Sequence, residues 1–187
     1  MADYTSVKGP DLFSRQLNNR NFLSPAGFKF TLTKAPKVDF FSKSVSIPNL
    51  TLGAAIQTNY LRDIPVPGDK LVYGDLDIDF FIDENLDNYL EIERWMRALG
   101  YPESLEEAVD LNPENTTLLG SARSDGSILV YNSSFNAIAK ITFKDLFPVS
   151  LTPVPFSADV TDINYIVATA TFKYTIFNVE SLLKNES

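Results

Sequence analysis

The sequence predicts a mainly β fold: an antiparallel β-sandwich or barrel with one flanking α-helix. Three observations carry this. Apolar and polar residues alternate at period two through Phe28–Thr33, Asp75–Ile82, Ala137–Lys144 and Tyr165–Val179, the pattern of strands that bury one face. Leu86–Leu99 instead recurs at helical spacing. There is no internal repeat or low-complexity tract, so 187 residues, 44% of them hydrophobic, are read as one domain with a real core.

Residues 1–27 read as an N-terminal arm or loop, polar and containing Gly9-Pro10 and Asn18-Asn19; residues 28–187 read as the β domain. Its first strand turns Phe28, Phe30 and Leu32 inward and ends at Ala35-Pro36. Ser42–Arg62 is a loosely patterned excursion. It holds weaker strands around Val45–Ile47 and Ala54–Tyr60, with Pro48-Asn49 between them. Its apolar patterning is too thin for an isolated hairpin, so it is expected to need a partner.

Pro67-Gly68-Asp69 reads as a turn, with Pro presetting φ and Gly tolerating positive φ. Leu71–Ile82 follows as a core strand. Leu76, Ile78, Phe80 and Ile82 face one way; Asp75, Asp77 and Asp79 form an acidic face on the other. The period then changes, and Leu86, Tyr89, Trp95, Met96 and Leu99 are expected on the core side of the helix, with Leu90 and Ile92 on the same stripe. Asp83 or Asn85 is placed to cap its start. Glu84 and Asp87 suit the positive end of its dipole, and Arg94 and Arg97 the negative end. Gly100 is expected as a left-handed stop, with Pro102 blocking continuation.

Residues 101–115 are acidic, with a short helix expected at Leu105–Val109. Thr116–Ala122 and Ser127–Tyr131 read as a hairpin across Asp125-Gly126. Ala137–Lys144 is a strand with Ala139, Ile141 and Phe143 on one face. Leu146–Phe156, with three prolines, reads as a loop. Tyr165–Val179 is the longest strand, with Ile166, Ala168, Ala170, Phe172, Tyr174 and Ile176 inward and Thr169, Thr171, Lys173 and Thr175 outward.

Charge is uneven. The chain carries −8 overall, but residues 1–62 carry +5, residues 63–114 carry −12 and residues 115–187 carry −1. An acidic protein repels nucleic acid, while its basic first third and acidic middle attract each other, within a chain or between chains. No apolar run reaches membrane-spanning length and the N-terminus lacks an apolar signal core, so neither a membrane span nor secretion by that route is expected.

The absence of cysteine and histidine removes thiolate nucleophiles, disulfides, zinc fingers, His-based triads and imidazole metal sites. Asp75-x-Asp77-x-Asp79 opens like a calcium loop but fails it: Phe80 stands where Gly is needed and Leu86 where a bidentate Glu is needed. The alternation places these acids on one strand face, about 7 Å apart, where water or a cation-rich partner is expected. No phosphate-binding Gly-rich loop occurs, and no cofactor or metal is expected. An enzyme would have to rely on paired carboxylates, and no Asp-Thr/Ser-Gly segment is present.

Pro67-Gly68-Asp69, the run Leu76-Asp-Ile-Asp-Phe-Phe-Ile-Asp-Glu-Asn-Leu-Asp-Asn-Tyr89, and Trp95-Met96 together resemble the tail tube proteins of contractile-tailed bacteriophages, a family related to type VI secretion tube proteins. The resemblance spans roughly residues 22–179 and is motif-like only over residues 66–99. It implies a β-sandwich or barrel with a flanking helix, six copies joining their sheets into a ring, and rings stacked into a tube that DNA traverses without specific binding. It implies sheath and baseplate proteins as partners, a place in the virion tail after assembly in the host cytoplasm, and no catalytic residues. Tube-like domains recur in baseplate and terminator proteins, the nearest alternative. A monomeric β-sandwich binding module and a carboxylate-dependent hydrolase are the alternatives outside that family. On the tube reading, the basic excursion meets the acidic surface of the next ring, with Lys43, Val45, Ile47, Ile56, Tyr60 and Arg62 as the contact residues.

Overall fold

Period-two alternation leaves each strand with one apolar face, and an apolar face is stable only against another. The computed structural model, which describes residues 22–100, 102–103, 122–157 and 165–182, satisfies this by folding one antiparallel sheet upon itself. In chain order the elements are β1 (Phe28–Leu32), α1 (Pro36–Phe40), β2 (Ser42–Val45), β3 (Leu50–Gln57), β4 (Ile64–Tyr73), β5 (Leu76–Phe81), α2 (Asp87–Gly100), β6 (Ser124–Tyr131), β7 (Ala137–Leu151), β8 (Val167–Lys173) and β9 (Ile176–Ser181). Seven strands form the sheet in the order β1-β6-β7-β8-β5-β2, with β9 also on β7; β3 and β4 form a separate two-stranded sheet. The expected mainly antiparallel β fold with few helices is the observed one.

The fold turns on β7. Its first part lies between β6 and β9, and its last part runs beside β8. Between them Asp145 adopts a left-handed φ of 59°, and its N–H donates to Asp125 Oδ1 at 3.2 Å. A strand that bends in this way passes from one sheet layer to the other. Phe30, Leu32, Ile128, Ile141 and Phe143 line one layer, and Leu76, Ile78, Phe80, Ala168, Ala170 and Phe172 the other; all are buried. α2 packs on α1 and β7.

Several boundaries differ from the sequence reading, each for a local reason. Leu71–Ile82 is not one strand: β4 ends at Tyr73 and β5 starts at Leu76. Gly74 donates its N–H to Asn49 O at 2.9 Å, and a Cβ there would fall 1.7 Å from Asn49 Oδ1. Pro67-Gly68-Asp69 is not a turn but lies inside β4, where Pro67 faces Ala54. The register slips between Leu52 and Ala54, and a Cβ on Gly68 would meet Gly53 O at 2.5 Å, so this is a glycine-on-glycine bulge. The two strands expected within Ser42–Arg62 do not pair with each other: β2 joins β5 in the main sheet, and β3 pairs with β4.

Asp125-Gly126 likewise lies within β6, not in a turn. A Cβ on Gly126 would fall 2.5 Å from Leu146 Cδ1 and 3.3 Å from Thr31 O, so the glycine admits close packing at the bend of β7. The β6–β7 turn is at Asn132–Asn136, where Asn132 Oδ1 accepts the N–H groups of Ser134 and Asn136 and Phe135 takes φ 58°. The expected Leu146–Phe156 loop is strand as far as Leu151, with Pro148 opposite Phe172. Tyr165–Val179 breaks after Lys173 into β8 and β9, which continue along β7 on either side of its bend. The helix begins at Asp87, because Leu86 holds φ 59°, and it runs through Gly100; no glycine among the described residues has positive φ. The short α1, with Pro36 in its first turn, had no counterpart in the sequence reading. Residues 1–21 of the expected arm, the Leu105–Val109 helix and residues 116–121 of the expected hairpin lie outside the described residues.

Candidate assembly surface

β3 and β4 are rich in apolar residues, yet every residue of β3 is exposed. Leu50, Leu52, Ile56, Leu71 and Val72 stand open along the two strands, and Tyr60 and Leu61 do so in the connecting loop. A two-stranded hairpin is at best marginally stable alone. This one is fastened at its base, where Tyr73 packs edge-on against Tyr174 and Phe177 at ring distances of 6.1 and 5.6 Å. Beyond the base it pairs with no other strand among the described residues. Pro65 and Pro67 remove N–H donors from β4, which suits an edge strand.

The six residues expected to meet a neighbouring ring fall into two groups. Lys43 and Val45 belong to β2, an end strand of the main sheet; Lys43 is exposed with its Nζ 5.7 Å from the Phe81 ring, and Val45 packs on the core. Ile47, Ile56, Tyr60 and Arg62 are exposed, on or leading to the hairpin. The structure therefore does not bring all six together.

The acidic face of β5 is observed, but its acids do more than meet water. β8 runs alongside with Asp77 opposite Thr171 and Asp79 opposite Thr169. Lys173 Nζ reaches Asp75 at 2.8 Å, Thr171 Oγ1 donates to Asp77 at 2.7 Å, and Thr169 Oγ1 donates to Asp79 at 2.6 Å. Ser44 Oγ adds a bond to Asp79 at 2.5 Å. Donation from Ser44 and then Thr169 holds the Asp79 carboxyl below the usual carboxylate range. The polar residues of β8 thus meet those of β5 one by one, Lys173 with an ion pair and the two threonines with hydrogen bonds.

In α2, Ile92 and Trp95 are fully packed, and Tyr89, Met96 and Leu99 rest half-buried on the core. Trp95 Nε1–H donates to Ala122 O at 2.9 Å, and its ring lies 6.1 Å from that of Phe172. Leu86 departs from the expectation: it precedes the helix and faces a groove beside Phe81. The residue missed was Asn88, wholly buried at the helix start. Its Nδ2 donates to Phe81 O at 2.7 Å, and its Oδ1 accepts from the N–H groups of Asp83 (3.3 Å) and Tyr89 (2.9 Å). It does the work expected of Asp83 or Asn85. The spacing Asn88, Ile92, Trp95, Leu99 put it on the apolar stripe, the signal that could have found it.

Asp39 was also missed. Its Oδ1 accepts the Leu32 N–H at 2.5 Å, tying α1 to the end of β1, and burial pushes its carboxyl up to about 6. Nearby, Lys37 pairs with Asp87 at 3.1 Å, and its N–H donates to Glu91 Oε2, joining α1 to α2.

No protein-family model and no curated protein matches the chain. Solved structures do. The tube-terminating cap of the anti-feeding prophage matches with a TM-score of 0.62 at 14% identity, over 92% of this chain and 99% of that one. A chain of the baseplate of the same prophage matches with a TM-score of 0.56 at 13% identity, over 82% and 90%. A chain of the extended sheath–tube complex of an extracellular contractile injection system matches with a TM-score of 0.56 at 14% identity, over 87% and 94%. At these identities the likeness is one of fold: the chain has the tail-tube fold that recurs in contractile injection machines.

Proposed function

We propose that this protein is a structural, non-enzymatic subunit of a contractile tail tube, with residues 28–187 as its single domain. Six copies join their sheets edge to edge into a ring, and the rings stack into a conduit for DNA within a virion tail, in contact with sheath and baseplate proteins. The observation that carries the reading is the β3–β4 hairpin, which displays apolar side chains along both strands and has no further partner strand among the described residues. Exposed apolar area of this kind marks an interaction site. Edges available for joining are those of β1 and β2, which end the sheet order, and of β9, paired to β7 alone. The net charge of −8 lets DNA pass, because phosphate repulsion replaces the counterion-release gain of a basic channel.

Negative-stain microscopy of the purified chain tests this. Long tubes or stacked rings are the expected result; dispersed monomers at high concentration would overturn it. The likeness to a tube-terminating cap favours a second reading, a terminator that sits on a tube and ends it. Single rings that never lengthen would select that reading.

A further inference from the structure

We propose that the hairpin tip of one copy, Tyr60-Leu61-Arg62, docks in a groove at the far end of the β2–β5 ladder of the next copy. The inference rests on the stacking reading above and names the surface that receives the hairpin.

The groove forms where β2 begins and β5 ends. Phe81 N–H donates to Phe41 O at 3.0 Å, and Ile82 N–H to Ile166 O at 2.9 Å, which brings three chain segments together there. Phe41, Phe81, Leu86 and Tyr165 wall a space of about 660 Å³, with the Phe81 and Tyr165 rings edge to face at 6.0 Å. Leu86 is held as a wall by its left-handed φ and by the bond from its N–H to Asp83 O. Asp83 and Glu84 line the same groove and make part of it acidic. The volume lies in the range, roughly 300–1,000 Å³, of cavities that enclose a ligand the size of a few side chains.

The tip offers the complement. Tyr60 and Leu61 are 99% and 88% exposed, so they find no shelter among the described residues, and Arg62 beside them carries the charge opposite to Asp83 and Glu84. Apolar anchors flanked by a matching charge give both contact energy and orientation.

Polarity decides which copy is engaged. The hairpin leaves the body at Asn49 and Gly74, next to Val45 and Leu76; the groove lies at the other end of the same two strands, next to Phe41 and Phe81. The length of β5, roughly 17 Å at 3.2–3.4 Å per residue, separates the two ends. The base of the hairpin and the receptor groove therefore sit at opposite ends of the β2–β5 ladder. Two such surfaces meet between copies placed head to tail, a heterologous contact that repeats without closing.

The chain has no cysteine, so a designed pair is unambiguous. Leu61→Cys with Tyr165→Cys, in the full chain, is assembled and then oxidised. The expected result is a ladder of disulfide-linked multimers that reductant collapses, while each single variant gives no ladder. Arg62→Cys with Glu84→Cys provides a second pair on side chains of exposed residues, and it is expected to give the same ladder. If both double variants assemble into tubes by microscopy yet run as monomers after oxidation, the docking site is wrong and the stacking reading stands. If the wild-type chain forms neither stacked rings nor tubes, the stacking reading fails and the docking site fails with it.

Discussion

The seven-stranded body and the β3–β4 hairpin are made of the same residue types and reach opposite ends. In β5, Ile78 and Phe80 are completely buried; in β3, Leu52 and Ile56 are 52% and 67% exposed. Both pairs sit in strands with full ladders. The difference is the second layer. β5 lies in a sheet folded over a shared core, whereas the hairpin has nothing across from it in the described chain. Backbone pairing aligns a strand, but burial of its face supplies the larger share of its stability. The described body buries its own apolar faces, and the described hairpin does not.

Substitutions in the two regions separate these roles. The largest effect is expected at Trp95, whose indole fills the space between α2 and Phe172 and satisfies Ala122 O. Trp95→Ala is expected to lower stability by about 3–5 kcal/mol in denaturant melting. Near-wild-type melting would show that α2 does not complete the core.

Asn88→Ala comes next. It strips the half-buried Phe81 carbonyl of a donor and the Asp83 N–H of an acceptor, at an expected cost of about 1–3 kcal/mol. Asn88→Asp, which keeps the acceptor but sets a carboxylate oxygen against the Phe81 carbonyl in a buried site, should cost at least as much; equal melting of all three proteins would dismiss the side chain as a clamp.

Asp39 gives the body a pH signature. Burial raises its carboxyl in the fold from 3.8 to about 6, so the folded state holds the proton more tightly than the unfolded chain. Its contribution is fully present below pH 3.8 and is lost as pH rises through 6. Burial raises Glu91 in the same sense, while the lowered Asp79 acts in the opposite one, its contribution lost on acidification. The comparison is therefore with Asp39→Asn, which keeps an acceptor for the Leu32 N–H. On going from neutral pH to pH 4, wild type is expected to gain stability relative to this variant. Parallel melting curves across the range would remove Asp39 from the account.

The smallest effect on the isolated subunit is expected in the hairpin. Ile56→Ser should change monomer stability by no more than about 0.5 kcal/mol, because the side chain is already in water. The same variant is expected to lose tube assembly, read by sedimentation. A large loss of monomer stability would place Ile56 in the core of its own chain and dissolve the contrast between the regions.

Local pattern made much of the body legible. The period-two runs marked β1, β5, the first part of β7 and β8, and they named the inward residues Phe30, Leu32, Ile78, Phe80, Phe143 and Phe172, all of which are buried. The change of period marked α2 to within a residue at each end. Even the polar faces of β5 and β8 were readable separately; their meeting, Asp77 with Thr171 across 94 residues, was not.

The sequence by itself determined the strand faces, the helix and the charge asymmetry, because these depend on the order of neighbouring residues and on nothing farther away. Tertiary structure decided where strands stop and which ones pair. Gly68 and Gly126 look like turn residues, yet each lies in a strand because another chain segment passes where a Cβ would stand. Asn88 looks like a surface polar residue on a helix, and it is buried because the ends of β5 and α2 present it with a donor and an acceptor at once. The hairpin was assigned the wrong two strands because β2 has a better partner in β5, through Ser44 and Asp79. A ladder's stability depends on what lies beside it and across from it, and those neighbours come from distant parts of the chain.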